Sequence, residues 1–188
     1  MEIFKDRLEN HSNYQLFMFV LVVPDNGKYI YIVSITKTAN DVSEKSILCL
    51  LKKGTESFTI SGSTCHSRLY LHINQQYCDL GGGLFTEFQF YLAGINIIII
   101  DEASVVGKNL LLHVDKHLRQ ASRKLVKPFE VFEVIFVGDF QQLHPFDDTP
   151  IHIEDEHTTF LLYHSINIFL FLDKIQMQVD DDPDSEKN

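Results

Sequence analysis

Apolar residues occur in this 188-residue chain in two patterns, and each predicts a different element. The first is the continuous run. YQLFMFVLVV (14–23), SILCLL (46–51), GINIIII (94–100), FEVIFVG (132–138) and SINIFLFL (165–172) hold few polar positions. Such runs predict strands, and GINIIII and FEVIFVG are of the type expected when both faces are covered, as in a parallel sheet. The second pattern is helical. Within ASVVGKNLLLHVDKHLRQASRKL (103–125), Leu110, Leu111, Val114 and Leu118 recur at three- and four-residue spacing. Strand, helix and strand in this order form a βαβ unit with a right-handed crossover. The fold class expected is α/β, with a mainly parallel central sheet flanked by helices.

One stretch has two readings. YIYIVSI (29–35) is β-rich by propensity and follows PDNG, a hairpin-turn sequence between two apolar runs. The alternative is a helix that opens after a phosphate-binding turn. Both stay open on the residues alone.

Composition narrows the class. An apolar fraction of 45% with 12% aromatic residues belongs to a globular chain. Cys49, Cys65 and Cys78 form no CxxC pair, so neither a disulfide framework nor a zinc site is expected, and the compartment expected is intracellular and reducing. The first apolar run is too short to span a bilayer, so no membrane insertion is expected. Net charge is −10, which by itself disfavours a nucleic-acid partner. The charge is unevenly spread, however. Lys108, Lys116, Arg119, Arg123, Lys124 and Lys127 share one segment with a single acid, Asp115, while acids gather towards the end in VDDDPDSEKN. Residues 1–15 are expected to lead into a domain spanning 16–175, and 176–188 to form a disordered acidic tail.

Candidate chemistry lies at strand ends. In open parallel sheets, ligands bind outside the carboxyl ends of the strands. Asp101 and Glu102 follow NIIII there, and Gly138 and Asp139 follow VIFV. An aspartate so placed can hold Mg²⁺, and an adjacent glutamate can orient the attacking water of phosphoryl transfer. A glutamine on the neighbouring strand end can reach a γ-phosphate.

These residues resemble a known family. IIIIDEAS looks like the Walker B motif of superfamily 1 helicases, and VIFVGDFQQLHP looks like their motif III. GTESFTISGSTCHS (54–67) is similar to the segment between motif I and Walker B in the Pif-one-like branch of the RecD-type 5′→3′ DNA helicases, with Gly54, Phe58, Ile60, Gly62, Thr64, His66 and Ser67 as counterparts. The resemblance implies a RecA-like P-loop NTPase domain that uses ATP and Mg²⁺ to unwind DNA. It implies Asp101 as the Mg²⁺ ligand, Glu102 acting on the attacking water, and Gln142 as γ-phosphate sensor. Gly27 and Lys28 would bind the nucleotide, and Thr64 and His66 would line the path of single-stranded DNA. Single-stranded or forked DNA is the implied partner. DNA repair, recombination and telomere maintenance are the implied processes, in the nucleus or mitochondrion of a eukaryote.

Three departures accompany the match. In VVPDNGKY (22–29), Val22 stands for the first glycine of GxxxxGK[ST] and Tyr29 for its Ser or Thr. His144 replaces a proline in motif III. IQMQVDDD has no arginine where the family places one that touches the γ-phosphate. The expectation is the first RecA-like domain only, truncated and weakly active. The alternative is a non-catalytic RecA-like module that binds a partner or has no activity.

Overall fold

A computed structural model of the chain describes residues 15–22, 28–43, 46–51, 63–71, 77–123, 127–129, 132–139, 141, 143–153 and 165–172. Six strands form one sheet: β1 (Phe17–Val22), β2 (Ser46–Leu51), β3 (Ser63–Thr64), β4 (Ile95–Ile100), β5 (Glu133–Gly138) and β6 (Ile168–Leu172). Their spatial order is β3-β2-β4-β5-β1-β6 and every pairing is parallel. The helices are α1 (Lys28–Ser43), α2 (Cys65–Arg68), α3 (Gly82–Leu92) and α4 (Lys108–Ser122), with one 3₁₀ turn at Ala103–Val105.

The runs that form β1, β4 and β5 are central strands with both sheet faces covered, whereas SINIFLFL forms the edge strand β6 and leaves Phe169 and Phe171 exposed. Phe17, Phe19, Ile98, Ile100, Val134 and Phe136 face one core, which α3 and α4 close with Phe88, Leu92, Leu111, Val114 and Leu118. Met18, Val20, Val22, Ile97, Ile99, Ile135 and Val137 face the other, closed by Ile32, Ile35 and Ala39 of α1. Two-residue alternation along each strand therefore sends neighbouring side chains into different cores. Leu111, Val114 and Leu118 bury the α4 stripe as expected, and Leu110 packs at its margin.

The hairpin reading of 22–35 is overturned. Residues 29–35 are helical, and β1 pairs with β5 and β6 with no antiparallel neighbour. Tertiary packing decides it. The helix penalty of β-branched residues is up to about 0.7 kcal/mol each. Fully burying a side chain such as Ile32 or Ile35, both 2% exposed or less, contributes about 1.5–3 kcal/mol. The expected lead-in and acidic tail lie outside the described residues, apart from Gln15, whose side-chain amide donates to Pro128 O and Phe132 O and so belongs to the domain. Among the described residues, no helix is long and apolar enough to cross a membrane.

Candidate functional site

Parallel pairing brings the ends of β4, β5 and β1 to one edge, because these strands are consecutive in the sheet. The amide of Asp101 still continues the ladder, donating to Leu50 O at 3.0 Å. The chain then turns sharply at Glu102, which has φ 54° and ψ 44°. A left-handed conformation costs a non-glycine residue roughly 1–2 kcal/mol. Strain of this kind is typical of functional turns. Its local support is a hydrogen bond from the Glu102 amide to Asp101 Oδ1, 2.8 Å long.

Lys28, the first residue of α1, meets both acids although β5 lies between β1 and β4. Its Nζ is 3.3 Å from Asp101 Oδ1 and donates to Glu102 Oε1. Burial pulls the Lys28 ammonium down, but the hydrogen bond to Glu102 and the charges of Asp101 and Glu102 together hold it above its ordinary value. Burial pushes the Asp101 carboxyl up, and Lys28 and the Glu102 amide offset this only in part. The asymmetry follows from exposure: the Asp101 side chain is 3% exposed and that of Lys28 30%. The desolvation cost therefore falls mainly on the carboxylate.

Gly138 closes the site from the β5 side. A Cβ there would stand 2.9 Å from the Ala103 amide nitrogen and 3.3 Å from that of Ser104. Only a glycine lets the turn after Asp101 settle on the end of β5. Asp139 follows, buried, and accepts from the Gln141 amide at 2.9 Å. Gln142 and Gly27 lie outside the described residues. Thr64 ends β3 at the same carboxyl edge, where its Oγ1 accepts from the Ser67 amide, and His66 follows it, half-buried. They are not beside Lys28 and Asp101, since β2 separates β3 from β4.

The donor set fits Mg²⁺ in a particular way. Among the described residues no three His, Cys, Asp or Glu side chains gather as a complete cage. Mg²⁺ characteristically takes one or two carboxylates and completes its shell with water and substrate phosphates. A buried carboxylate such as Asp101, already desolvated and facing a cation, suits that role.

Two structural acids were not evident from the sequence. Asp148 accepts from the amides of Asn109 and Leu110, both at 3.2 Å, and so caps α4 from the loop after β5. Buried Asp115 accepts from the Phe129 amide at 2.6 Å and is paired with Arg119. The sequence signal for Asp148 was weak, because the cap lies about forty residues from the helix it serves.

A family model described as PIF1-like helicase matches residues 2–183. A search of curated sequences gave no match. Among solved structures, the chain is similar to a Pif1 helicase from Bacteroides in complex with ADP-AlF3 and ssDNA, with a TM-score of 0.68 and 20% identity over 96% of this chain and 43% of that one. It is similar to Pif1 helicase from Candida albicans, with a TM-score of 0.68 and 20% identity over 93% of this chain and 39% of that one. Unliganded Pif1 from Bacteroides sp gives a TM-score of 0.70 at 20% identity, over 95% and 42% of the two chains. The chain thus spans about two fifths of the solved helicases it matches, and it shares their RecA-like fold.

Proposed function

We propose that this chain, which belongs to the PIF1-like helicase family, is a RecA-like motor domain of an ATP-dependent 5′→3′ DNA helicase. The observation that supports this most is the meeting of Lys28, Asp101 and Glu102 at the carboxyl edge of a parallel sheet. In this reading Lys28, with the Gly27 backbone beside it, binds the nucleotide phosphates. Asp101 holds Mg²⁺, and bound Mg²⁺ would offset negative charge on those phosphates. Glu102 orients the attacking water and receives its proton. Gln142 senses the γ-phosphate, and Thr64 and His66 contact the strand.

The substrate proposed is single-stranded or forked DNA. The similar Pif1 structures include one from Bacteroides with ssDNA and one concerned with unwinding at forked dsDNA. Work on such DNA belongs to repair, recombination and telomere maintenance, and in a eukaryote to the nucleus or mitochondrion.

A second reading has its own observation. Val22 is buried in the last position of β1, and Tyr29, 47% exposed, fills the place of the small hydroxyl that completes a phosphate loop. A tyrosine hydroxyl stands too far from its backbone to serve there. This favours a module that binds nucleotide and turns it over slowly. The experiment is ATP hydrolysis and nucleotide binding by the 188-residue chain, with and without single-stranded DNA, beside Asp101→Ala. The expected result is binding that needs Asp101, with turnover below about 1 s⁻¹. DNA-stimulated turnover above that, lost in Asp101→Ala, would reject slow turnover and restore the full motor. Absence of nucleotide binding would reject the ATP reading.

A further inference from the structure

The second half of α4 presents Lys116 and Arg119 three residues apart on one face, and Arg123 follows at the helix's left-handed C-cap. These three cations line an open groove of about 650 Å³ together with Tyr77, Asp79 and Gln120. In a chain of net charge −10, a cationic groove runs against composition. We infer that this groove is a second, sequence-independent contact for the phosphate backbone of a nucleic-acid strand. The inference rests on reading the chain as a DNA motor.

The groove is built into the fold. The Gln120 side-chain amide grips the Leu80 backbone, its oxygen accepting from the N–H at 3.0 Å and its nitrogen donating to the carbonyl at 2.8 Å. Buried His117 sets one ring nitrogen 2.6 Å from Leu69 O and the other 3.0 Å from Cys78 O. Residues 77–80 are therefore fastened to α4 at both ends. The cations are preset as well. Lys116 Nζ lies 4.7 Å from the Tyr77 ring centroid, and Arg119 is anchored on Asp115. Asp79 is the carboxylate inside the groove, and it accepts the Tyr77 hydroxyl at 2.7 Å. Side chains already ordered lose less entropy on binding.

Shape and position select the ligand. An open channel lined by three cationic side chains suits a chain of repeated anions better than a single compact one. α4 joins the carboxyl end of β4 to the amino end of β5, so it leads away from the Asp101 edge. At 1.5 Å per residue, Lys116 and Arg123 lie about 12 and 22 Å along the axis from Lys108. The groove is thus distinct from the edge that holds Thr64 and His66, and engages a different part of the strand.

The test uses the whole chain with Lys116→Gln and Arg123→Asn together. Arg119 is retained because it pairs with Asp115, and Asn is chosen because position 123 has φ 56°, which Asn tolerates. Anisotropy of a labelled thymidine oligonucleotide is followed from 50 to 200 mM salt, and binding of a fluorescent nucleotide is followed in parallel. Each phosphate contact to a single strand adds about 0.7 to the slope of log affinity against log salt. The double variant should flatten that slope by about 1.4, weaken binding several-fold at low salt, and leave nucleotide binding unchanged. An unchanged slope and affinity would overturn the inference. Nucleotide binding by the parent without oligonucleotide binding would overturn it too, while the ATP site stands. Loss of both in the parent would reject the motor reading itself.

Discussion

The end of β4 and the passage from β1 to α1 open on the same sheet edge, yet only one keeps the family's pattern. At β4 the acidic pair is intact: Asp101 is buried, Glu102 is half-buried in a left-handed turn, and Gly138 backs them. At β1 a valine and a tyrosine stand where the family has a glycine and a small hydroxyl. Lys28 joins the two. Its ammonium is claimed by the carboxylates of β4 even though it begins the helix of the altered side. The carboxylate side is fixed by contacts that run through the core. A phosphate loop depends on backbone freedom and a small side chain, which single substitutions remove without disturbing the sheet.

The largest expected effect separates the sides by function. Asp101→Ala should lower ATP turnover by about 10²–10³-fold, the scale of losing one preorganised charge-stabilising group. If Lys28→Ala, assayed beside it, costs much less, the phosphate side contributes little to the site. Equal losses would mean that both sides still work together. Gly138→Ala should then destabilise the fold by about 1–3 kcal/mol through overpacking against Ala103. Thermal unfolding should register this as a fall of about 2–4 °C per kcal/mol. An unchanged melting temperature would mean that the close approach of β5 to the Asp101 turn is not tight.

Repair of the altered side comes next. Tyr29→Thr replaces an exposed ring, so its effect on stability should stay within about 0.5 kcal/mol. It should raise Mg²⁺-dependent nucleotide affinity by about tenfold, measured by titration with and without chelator. No gain would show that Val22, not Tyr29, limits the site.

The smallest effect tests the buried acid. The folded-state pKa of Asp101 is raised, so folding favours its protonated form. That contribution is complete below the unfolded value of 3.8 and is lost as pH rises through the folded one. Asp101→Asn escapes the loss. Its melting temperature relative to the parent should therefore climb from acid to neutral pH. A difference that stays flat with pH would show that Lys28 fully compensates Asp101.

The central strands and α4 were legible because burial on two faces and burial on one stripe each leave a pattern in the chain itself. The positions of Asp101 and Glu102 followed from those strands. α1 was ambiguous, since Tyr29 to Ile35 suit a strand locally and become helical only because Ile32, Ile35 and Ala39 find the sheet. α3 passed unread. GGLFTEFQFYL has apolar residues on every side, and only Phe88 and Leu92 are buried. The roles of His117, Asp115 and Asp148 depend on carbonyls and amides from distant segments, which no local spacing announces. The meeting of Lys28 with Asp101 likewise needs the order β4-β5-β1, which is a property of the whole sheet.

Asp148 gives the molecule a mechanical linkage. By capping α4 it rivets the loop beyond β5 to the helix that starts just past Glu102, and the Gly107–Pro150 bridge doubles the joint. A displacement of that loop would therefore be felt at the first turn of α4, the helix whose second half bears Lys116 and Arg119.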